Sequence, residues 1–463
     1  MHKAAGESID MSNRKIGWIV CLGVAAIFVM TALPVRANLN LEKSQEWKGL
    51  GNTVVYGTFA KDVDGDNTTE ILTVGSTYDG NPAATKAQLR IWNWNDNTDV
   101  LTLEKDYEYV MGTNSTNSVF RGVYAANLDN DNDVEIVTVG YYVDWRGIYH
   151  DHLAIWRWDG TTLTMDREAT QAADSMMRSV FVAEINGDNY PEIAVVGERD
   201  ITANKIGKLY VFNWDGTTLA LETSVGWGAT IGGTHDIEVR SVFIENVTWN
   251  STKEIITAGF YYLSPGFGTA GEVHVYNYTV TGGTASLSLV TSHTYQVPTD
   301  RPTQFYSVFA GELKSGNGNK IAVCGWYTDT NGIHNGLVDV MKYDTSSSTW
   351  TDWKYTWLNN TSTTECRAVY AADVTGNSDL EIFAGGFAPF SGTPNGQIVT
   401  LNFNGTALNP IGWNNWYTTS DTQVHAVYAK NVDGDSDVEV ISGGQAKDAG
   451  GTLNGQLRIW HWV

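Results

Sequence analysis

The chain has 463 residues, with 52 acidic against 29 basic side chains and a formal net charge of −23. So acidic a surface excludes a nucleic-acid partner, because neutralising phosphates needs a basic one, and it suits a protein that holds divalent cations outside the cell. Hydrophobic residues make up 42 % and cysteines number three, which describes a globular chain and excludes a disulfide scaffold.

Arg14 and Lys15 precede an apolar run from Ile16 to Val35 that ends in Val35, Arg36 and Ala37. A basic flank, an apolar core and small residues before the cut predict a signal peptide over 1–37, with Met11 as an alternative start. Its removal leaves no stable transmembrane span, and the mature chain is expected to be secreted or held at the cell surface. Eight N-x-[ST] sequons, at Asn67, Asn114, Asn246, Asn250, Asn277, Asn359, Asn360 and Asn404, agree with a glycosylated extracytoplasmic protein.

From residue 38 onward one sentence recurs seven times, most clearly as YGTFAKDVDGDNTTEILTVG at Tyr56–Gly75. The last acidic-loop position of each copy, Glu70, Glu135, Glu192, Glu254, Lys320, Glu381 and Glu439, follows the previous one by 57–66 residues. Seven such units fill 38–463 and leave no room for a second domain. In the second copy four strands are predicted: RGVYAAN, EIVTVG, LAIWRW after a Gly-rich loop of about ten residues, and LTMDREA after a DGTT turn. Four antiparallel strands per unit predict an all-β, seven-bladed β-propeller. The last copy stops at its third strand, QLRIWHWV. Its missing fourth is expected at the other end of the chain, because LNLEKSQEW at Leu39–Trp47 resembles LTLEKDYEY at Leu101–Tyr109. Cys324 and Cys366 fall at different repeat positions and are expected to be two isolated buried thiols.

The acidic loops have the spacing of cation ligands. Asp62, Asp64, Asp66 and Glu70 stand at positions 1, 3, 5 and 9, with a Gly between them to permit the turn. Alternate carboxylates converging in one loop repel unless a hard cation sits between them, and an oxygen-only set favours Ca²⁺. The second copy offers Asn127, Asp129, Asp131 and Glu135, and the seventh Asn431, Asp433, Asp435 and Glu439. The third offers Glu184, Asn186, Asp188 and Glu192, and the sixth, a weaker set, Asp373, Asn377 and Glu381. The fourth loop, with Asn246, Thr248, Asn250 and Glu254, is expected to hold no metal. In the fifth, Lys314 and Lys320 take ligand positions, and a lysine ammonium is expected to replace the ion.

This pattern, D-x-D-G-D-x-x-x-E between two short strands followed by a hydrophobic-Gly pair, resembles the FG-GAP/VCBS-type repeat, the blade also used by the integrin α-subunit head. The resemblance implies calcium loops on one face of a propeller and a ligand surface on the other. The integrin's other domains are missing, so a receptor function does not follow.

Two sets of residues are candidates for that surface. The residues opening each first strand, Tyr56, Arg121, Arg178, Arg240, Tyr306, Arg367 and His425, approach the central channel, where arginines could take an anionic sugar or a carboxylate; the alternative is a set of repeated inter-blade salt bridges. Aromatics of the second-to-third loops and blade connections (Tyr78, Tyr141, Tyr142, Trp145, Tyr149, Tyr261, Tyr262, Trp326, Tyr327, Phe387, Phe390, Trp413, Trp416, Tyr417) are the second. The strand-three tryptophans Trp92, Trp156 and Trp460 are assigned to the core. No HExxH, GxSxG or phosphate-binding Gly loop is present, and the HDH at His150–His152 reads as a polar strand entry. The expected function is a calcium-binding recognition or adhesion module for an extracellular glycan or protein. The alternatives are a carbohydrate-active enzyme of the polysaccharide-lyase kind and a structural surface component.

Overall fold

The computed structural model describes residues 39–463 apart from 79, 81–84, 96–99, 113–114, 202–203, 229–235, 251, 264–267, 297–300, 358–361, 391 and 417–420. The expected signal segment with Cys21, the sequons at Asn114, Asn359 and Asn360, Tyr417 and the side chain of Phe390 lie outside that description. Asn67, Asn250 and Asn404 are exposed. Among the described residues no helix is long and apolar enough to cross a membrane.

Strand β1 (Leu39–Trp47) opens the described chain. An eight-stranded sheet follows, with β2 (Thr53–Lys61), β3 (Glu70–Tyr78), β4 (Thr85–Asn95), β5 (Val100–Tyr109), β6 (Ser115–Ala126), β7 (Glu135–Asp144), β8 (Tyr149–Trp158) and β9 (Leu163–Ala169). Among the described residues its two halves meet through one parallel residue pair, Thr85 with Asn117. Four-stranded antiparallel sheets come next. One holds β10 (Ser175–Ala183), β11 (Glu192–Ile201), β12 (Asn204–Trp214) and β13 (Leu219–Trp227). Another holds β14 (Ile237–Glu245), β15 (Glu254–Tyr262), β16 (Thr269–Thr281) and β17 (Thr284–Tyr295). Then come β18 (Thr303–Gly311), β19 (Lys320–Thr328), β20 (His334–Asp344) and β21 (Thr349–Trp357), and β22 (Glu365–Ala372), β23 (Glu381–Phe390), β24 (Thr393–Phe403) and β25 (Leu408–Trp416). The last sheet is built from both ends of the described chain. β26 (Thr422–Lys430), β27 (Glu439–Lys447) and β28 (Leu453–Trp462) are completed by β1, with Leu39 opposite Trp462 and Trp47 opposite Gly455. That pairing covers an edge of β28 that would otherwise template aggregation.

The seven repeat-opening strands β2, β6, β10, β14, β18, β22 and β26 each neighbour the next, and β26 neighbours β2. Every one places an aromatic residue at the same position. Phe59, Tyr124, Phe181, Phe243, Phe309, Tyr370 and Tyr428 form a closed circle in which each ring lies 4.2–5.2 Å from the next. Each such pair is worth roughly 0.5–1.5 kcal/mol beyond the area it buries. Hydroxyls reinforce the circle: Val242, Val308 and Val369 donate their backbone N–H groups to Ser179, Ser241 and Ser307 respectively, each on the preceding opening strand.

The cores lie between neighbouring sheets. The strand-three indoles of Trp92, Trp156 and Trp460 are buried and donate to Thr73, Thr138 and Ser442 on the second strands, at 3.1, 2.9 and 3.0 Å. Cys324 and Cys366 are buried and unbonded. They are not isolated: face-to-face packing of adjacent sheets brings the two thiols, from different repeat positions, together in one cluster.

The expected ten-residue loops between second and third strands are mostly strand. Residues 145–148 alone separate β7 from β8. The loop aromatics therefore change role, because strand alternation turns half of them inward. Tyr141, Tyr261, Trp326 and Phe387 are buried, while Trp145 stays 71 % exposed. Trp416 packs 4.8 Å from Trp460 and donates to Gln456 at 2.8 Å.

The bond from Trp416 to Gln456 is one of a family. Trp47 donates to Gln88 at 2.8 Å and Trp227 to Glu272 at 3.0 Å, each strapping an outer strand to the next sheet. Burial pushes the Glu272 carboxyl up to about 7, against the Trp227 hydrogen bond. An acid that ionises near 4.5 when unfolded and near 7 when folded gives stability that is complete below pH 4.5 and lost as pH rises through 7. Glu272→Gln, the residue used at 88 and 456, keeps the strap and removes the loss. Its melting temperature relative to wild type is expected to climb between pH 5 and pH 8; an offset independent of pH would contradict this origin.

Candidate ligand cup and metal loops

An antiparallel pair normally matches residues one to one, but each opening strand carries one residue too many. The register slips between Val55 and Gly57, Phe120 and Gly122, Met177 and Ser179, Val239 and Ser241, Phe305 and Ser307, Cys366 and Ala368, and Val424 and Ala426. The skipped residues are Tyr56, Arg121, Arg178, Arg240, Tyr306, Arg367 and His425. A β-bulge re-aims the extra side chain, and here all seven line one cavity of about 390 Å³.

The glycine that closes each repeat makes the bulge possible. A Cβ on Gly75, Gly140, Gly197, Gly259, Gly325, Gly386 or Gly444 would lie 1.8–2.2 Å from the backbone oxygen of Val54, Val119, Met176, Glu238, Gln304, Glu365 or Gln423. Below the bulge residues the same strands present small residues, then valines and Thr58, and finally the aromatic circle as a floor.

The guanidinium groups converge on the cup, and three of them are paired there. Arg178 Nε meets Glu198 at 2.9 and 2.8 Å, and its Nη2 lies 3.7 Å from Glu238 on the next sheet. Arg240 donates to Glu238 on its own strand. Arg367 reaches Glu365 at 3.1 Å and donates from Nη1 to His425 Nδ1 at 3.1 Å. These pairs run mostly within a sheet, so the inter-blade alternative holds for the Arg178–Glu238 contact alone. Burial opposes the Arg178 charge, but Glu198 and Glu238 hold its pKa above the ordinary value. Burial, then Arg367, keeps His425 neutral well below the usual histidine range. Arg121 differs from the other three: it stacks 4.0 Å over Tyr56 and donates to the Tyr141 hydroxyl at 3.2 Å, with no carboxylate partner among the described residues.

The acidic loops follow the far ends of the same strands. Carboxylate oxygens of Asp62, Asp64 and Asp66 lie within 4.8 Å of one another, as do those of Asp129, Asp131 and Glu135, of Glu184, Asp188 and Glu192, and of Asp433, Asp435 and Glu439. The turn needs a left-handed residue at position 4, which Gly65 (φ 79°), Gly187 (φ 87°) and Gly434 (φ 86°) supply, and Asn130 (φ 61°) tolerates. The closing glutamate is buried and holds the loop, accepting the backbone N–H of Val63 on Glu70, Leu128 on Glu135, Ile185 on Glu192 and Val432 on Glu439, at 2.8–2.9 Å. Burial, with neighbouring carboxylates adding to it, pushes Glu70 and Glu135 up to about 7 and Glu192 and Glu439 up to about 8. Buried oxygens without a donor remain on Asn127, Glu184 and Glu439. An oxygen-only set with orphaned buried acceptors fits a hard cation.

In the remaining loops the side chains at the ligand positions are engaged within the protein. In the fourth, Glu254 accepts from Val247 at 2.8 Å and from the Thr248 hydroxyl. In the sixth, Asp373 accepts the N–H groups of 375–378, Asn377 Oδ1 accepts from Asp379, and Glu381 accepts from Val374. In the fifth, Lys320 is buried and its ammonium donates to the loop carbonyls of Asn317 and, at 2.8 Å, Gly318, while Lys314 pairs with Asp379 at 2.5 Å.

Loop spacing alone missed one contributor. Glu104 on the fourth strand β5 brings a carboxylate within 4.8 Å of Asp64 and Glu70, and one of its oxygens is buried without a donor. Glu42 on β1 stands at the same place in the repeat; burial and then Asp433 and Asp435 raise its pKa against the pull of His461. The signal was legible as an acid at one register position, Glu42, Glu104, Asp166 and Glu222, in the units with well-formed acidic loops. Asp166 is taken by Arg157 at 2.7 Å and Glu222 by the Tyr278 hydroxyl. The HDH residues have separate partners: His150 meets Asp144 at 3.4 Å, His152 meets Glu168 at 2.9 Å, and Asp151 accepts from Gln171 at 2.6 Å.

Neither a family model nor a curated protein matches the chain. Solved structures do match. A humanized mutant of the Chaetomium thermophilum Polycomb Repressive Complex 2 bound to the inhibitor GSK343 is similar over 91 % of this chain and 97 % of its own, at 6 % identity and a TM-score of 0.53. Apo ctPRC2 in an autoinhibited state is similar over 91 % and 97 %, at 7 % identity and a TM-score of 0.51. At such identities the likeness shows the fold alone: this chain is a β-propeller.

Lys320→Ala is expected to cost about 2–4 kcal/mol in urea unfolding, since it opens a cavity at a buried side chain and removes the donor to two half-buried carbonyls. Its calcium stoichiometry is expected to equal wild type; loss of a bound ion in the variant, or unchanged stability, would show that the ammonium does not stand in for a cation.

Proposed function

We propose that the chain is a seven-bladed propeller of the FG-GAP/VCBS type, secreted and stabilised by Ca²⁺, that recognises an extracellular glycan or surface protein through the cup. The observation that carries the reading is the delivery of all seven bulge residues into one cavity. Side chains at a repeated register position need only pack against the next blade to stabilise a propeller. Aiming each of them into a shared cavity instead is what a binding surface requires.

The blade count rests on seven sequence units of four strands each, on the one described residue pair joining the halves of the eight-stranded sheet, and on the seven-membered aromatic circle. Calcium is assigned to the first, second, third and seventh loops, with Glu104 and Glu42 as added oxygen donors to the first and seventh. Its role is structural: it fixes the turn between first and second strands and couples stability to the extracellular ion. Secretion is supported by the basic-apolar leader and the exposed sequons.

Two outcomes test this function. Asp64→Ala with Asp66→Ala is expected to shrink the calcium-dependent rise in melting temperature, measured by calorimetry against chelator; equal melting of the wild type with calcium and with chelator would sink the metal assignment. On a glycan array at a temperature where the chelated protein stays folded, the wild type is expected to bind a defined subset. Tyr306→Ala, at the cup, should lose that subset. Binding unchanged by Tyr306→Ala would move the ligand surface elsewhere.

A further inference from the structure

We infer that the cup takes a single carboxylate, borne by a small saccharide, and that Arg121 is the group that docks it. This rests on the reading of the cup as the recognition surface and names what enters it. Four guanidinium groups face three carboxylates, Glu198, Glu238 and Glu365, and each carboxylate is bound to a paired arginine. His425 adds no charge, since its Nδ1 accepts from Arg367. Of the four guanidinium groups, Arg121 is the one without a carboxylate partner among the described residues. Arg121 Nη2 is spent on the Tyr141 hydroxyl, while Nε is buried and finds no acceptor among the described residues. A guanidinium that lines an open cavity without a carboxylate partner is the group an incoming carboxylate neutralises.

The surroundings restrict the rest of the ligand. Tyr56 and Tyr141 lie under and beside the guanidinium at 4.0 and 5.5 Å, and Tyr306 lines the same cavity. Their rings offer apolar faces next to a charge, which suits a sugar ring carrying an acid. A cavity of about 390 Å³ admits a small ligand or the tip of a larger one. A net charge of −23 disfavours the approach of a polyanion, so an isolated carboxylate is the better match.

The experiment titrates the full calcium-loaded chain with methyl β-D-glucuronide and with methyl β-D-glucoside, followed by calorimetry or ligand-observed NMR. The glucuronide is expected to bind at least about tenfold more tightly, the scale of one charge-assisted contact. Arg121→Gln should erase the preference, Arg121→Lys should restore part of it, and added salt should weaken it. Both variants are checked for wild-type melting, because Arg121 sits on a bulge. Equal affinity for the two glycosides, or a preference that survives in Arg121→Gln, overturns the inference while leaving glycan recognition at the cup intact. Binding of neither glycoside also overturns it, and the array result then judges the recognition reading on its own.

Discussion

The fold and the cup hang on one close contact, the carbonyl two residues before each bulge residue lying where the Cβ of a facing residue would be. Only glycine accepts it, with 1.8–2.2 Å separating that missing Cβ from the carbonyl oxygen. The contact lets the first strand hold an extra residue without breaking its ladder. The extra residue cannot join the pairing, so its side chain leaves the sheet and enters the channel. Repeated around the circle, this turns seven ordinary hairpins into a polar rim of arginine, tyrosine and histidine above an apolar floor.

The floor explains how such a rim is tolerated. Buried guanidinium groups are expensive unless paired, and the same strands that carry them carry the aromatic circle that holds the centre together. Around it, sheets pack through apolar faces, and outer-strand tryptophans reach across to Gln88, Glu272 and Gln456. Pairing of β1 with β28 ties the start of the described chain to its end. On the other side of the strands the acidic loops have a different need: their closing glutamates are buried against other carboxylates, whereas in the fifth loop the Lys320 ammonium takes the closing position and donates to the loop carbonyls.

Much of this was legible in the sequence, and the reason is repetition. Units of 57–66 residues, the strand order within them, the stand-in fourth strand at Leu39–Trp47 and the substitution of Lys320 for a ligand all follow from comparing copies. The bulge did not, because an extra residue in one strand is visible only against its partner. Its trace was nonetheless present: Tyr56 precedes Gly75 by the same interval that separates Arg121 from Gly140 and His425 from Gly444, although the units themselves vary in length. The loop aromatics were misplaced because Gly-rich segments such as those flanking Tyr141 and Trp326 continue as strand, where alternation buries them. Glu104 escaped because ligand spacing was sought within a loop, and a neighbouring strand supplies it.

The coupling between bulge and glycine is open to direct measurement by pairing two changes in the β6–β7 hairpin. Gly140→Ala alone places a Cβ against the Val119 carbonyl and is expected to lower stability by several kcal/mol in denaturant unfolding. Deleting Arg121 removes the extra residue and returns the hairpin to regular pairing, where alanine fits. In that background Gly140→Ala is expected to cost little, so the two changes are strongly non-additive. Equal cost of Gly140→Ala with and without Arg121 would contradict the account, because the glycine would then serve something other than the bulge that aims the cup.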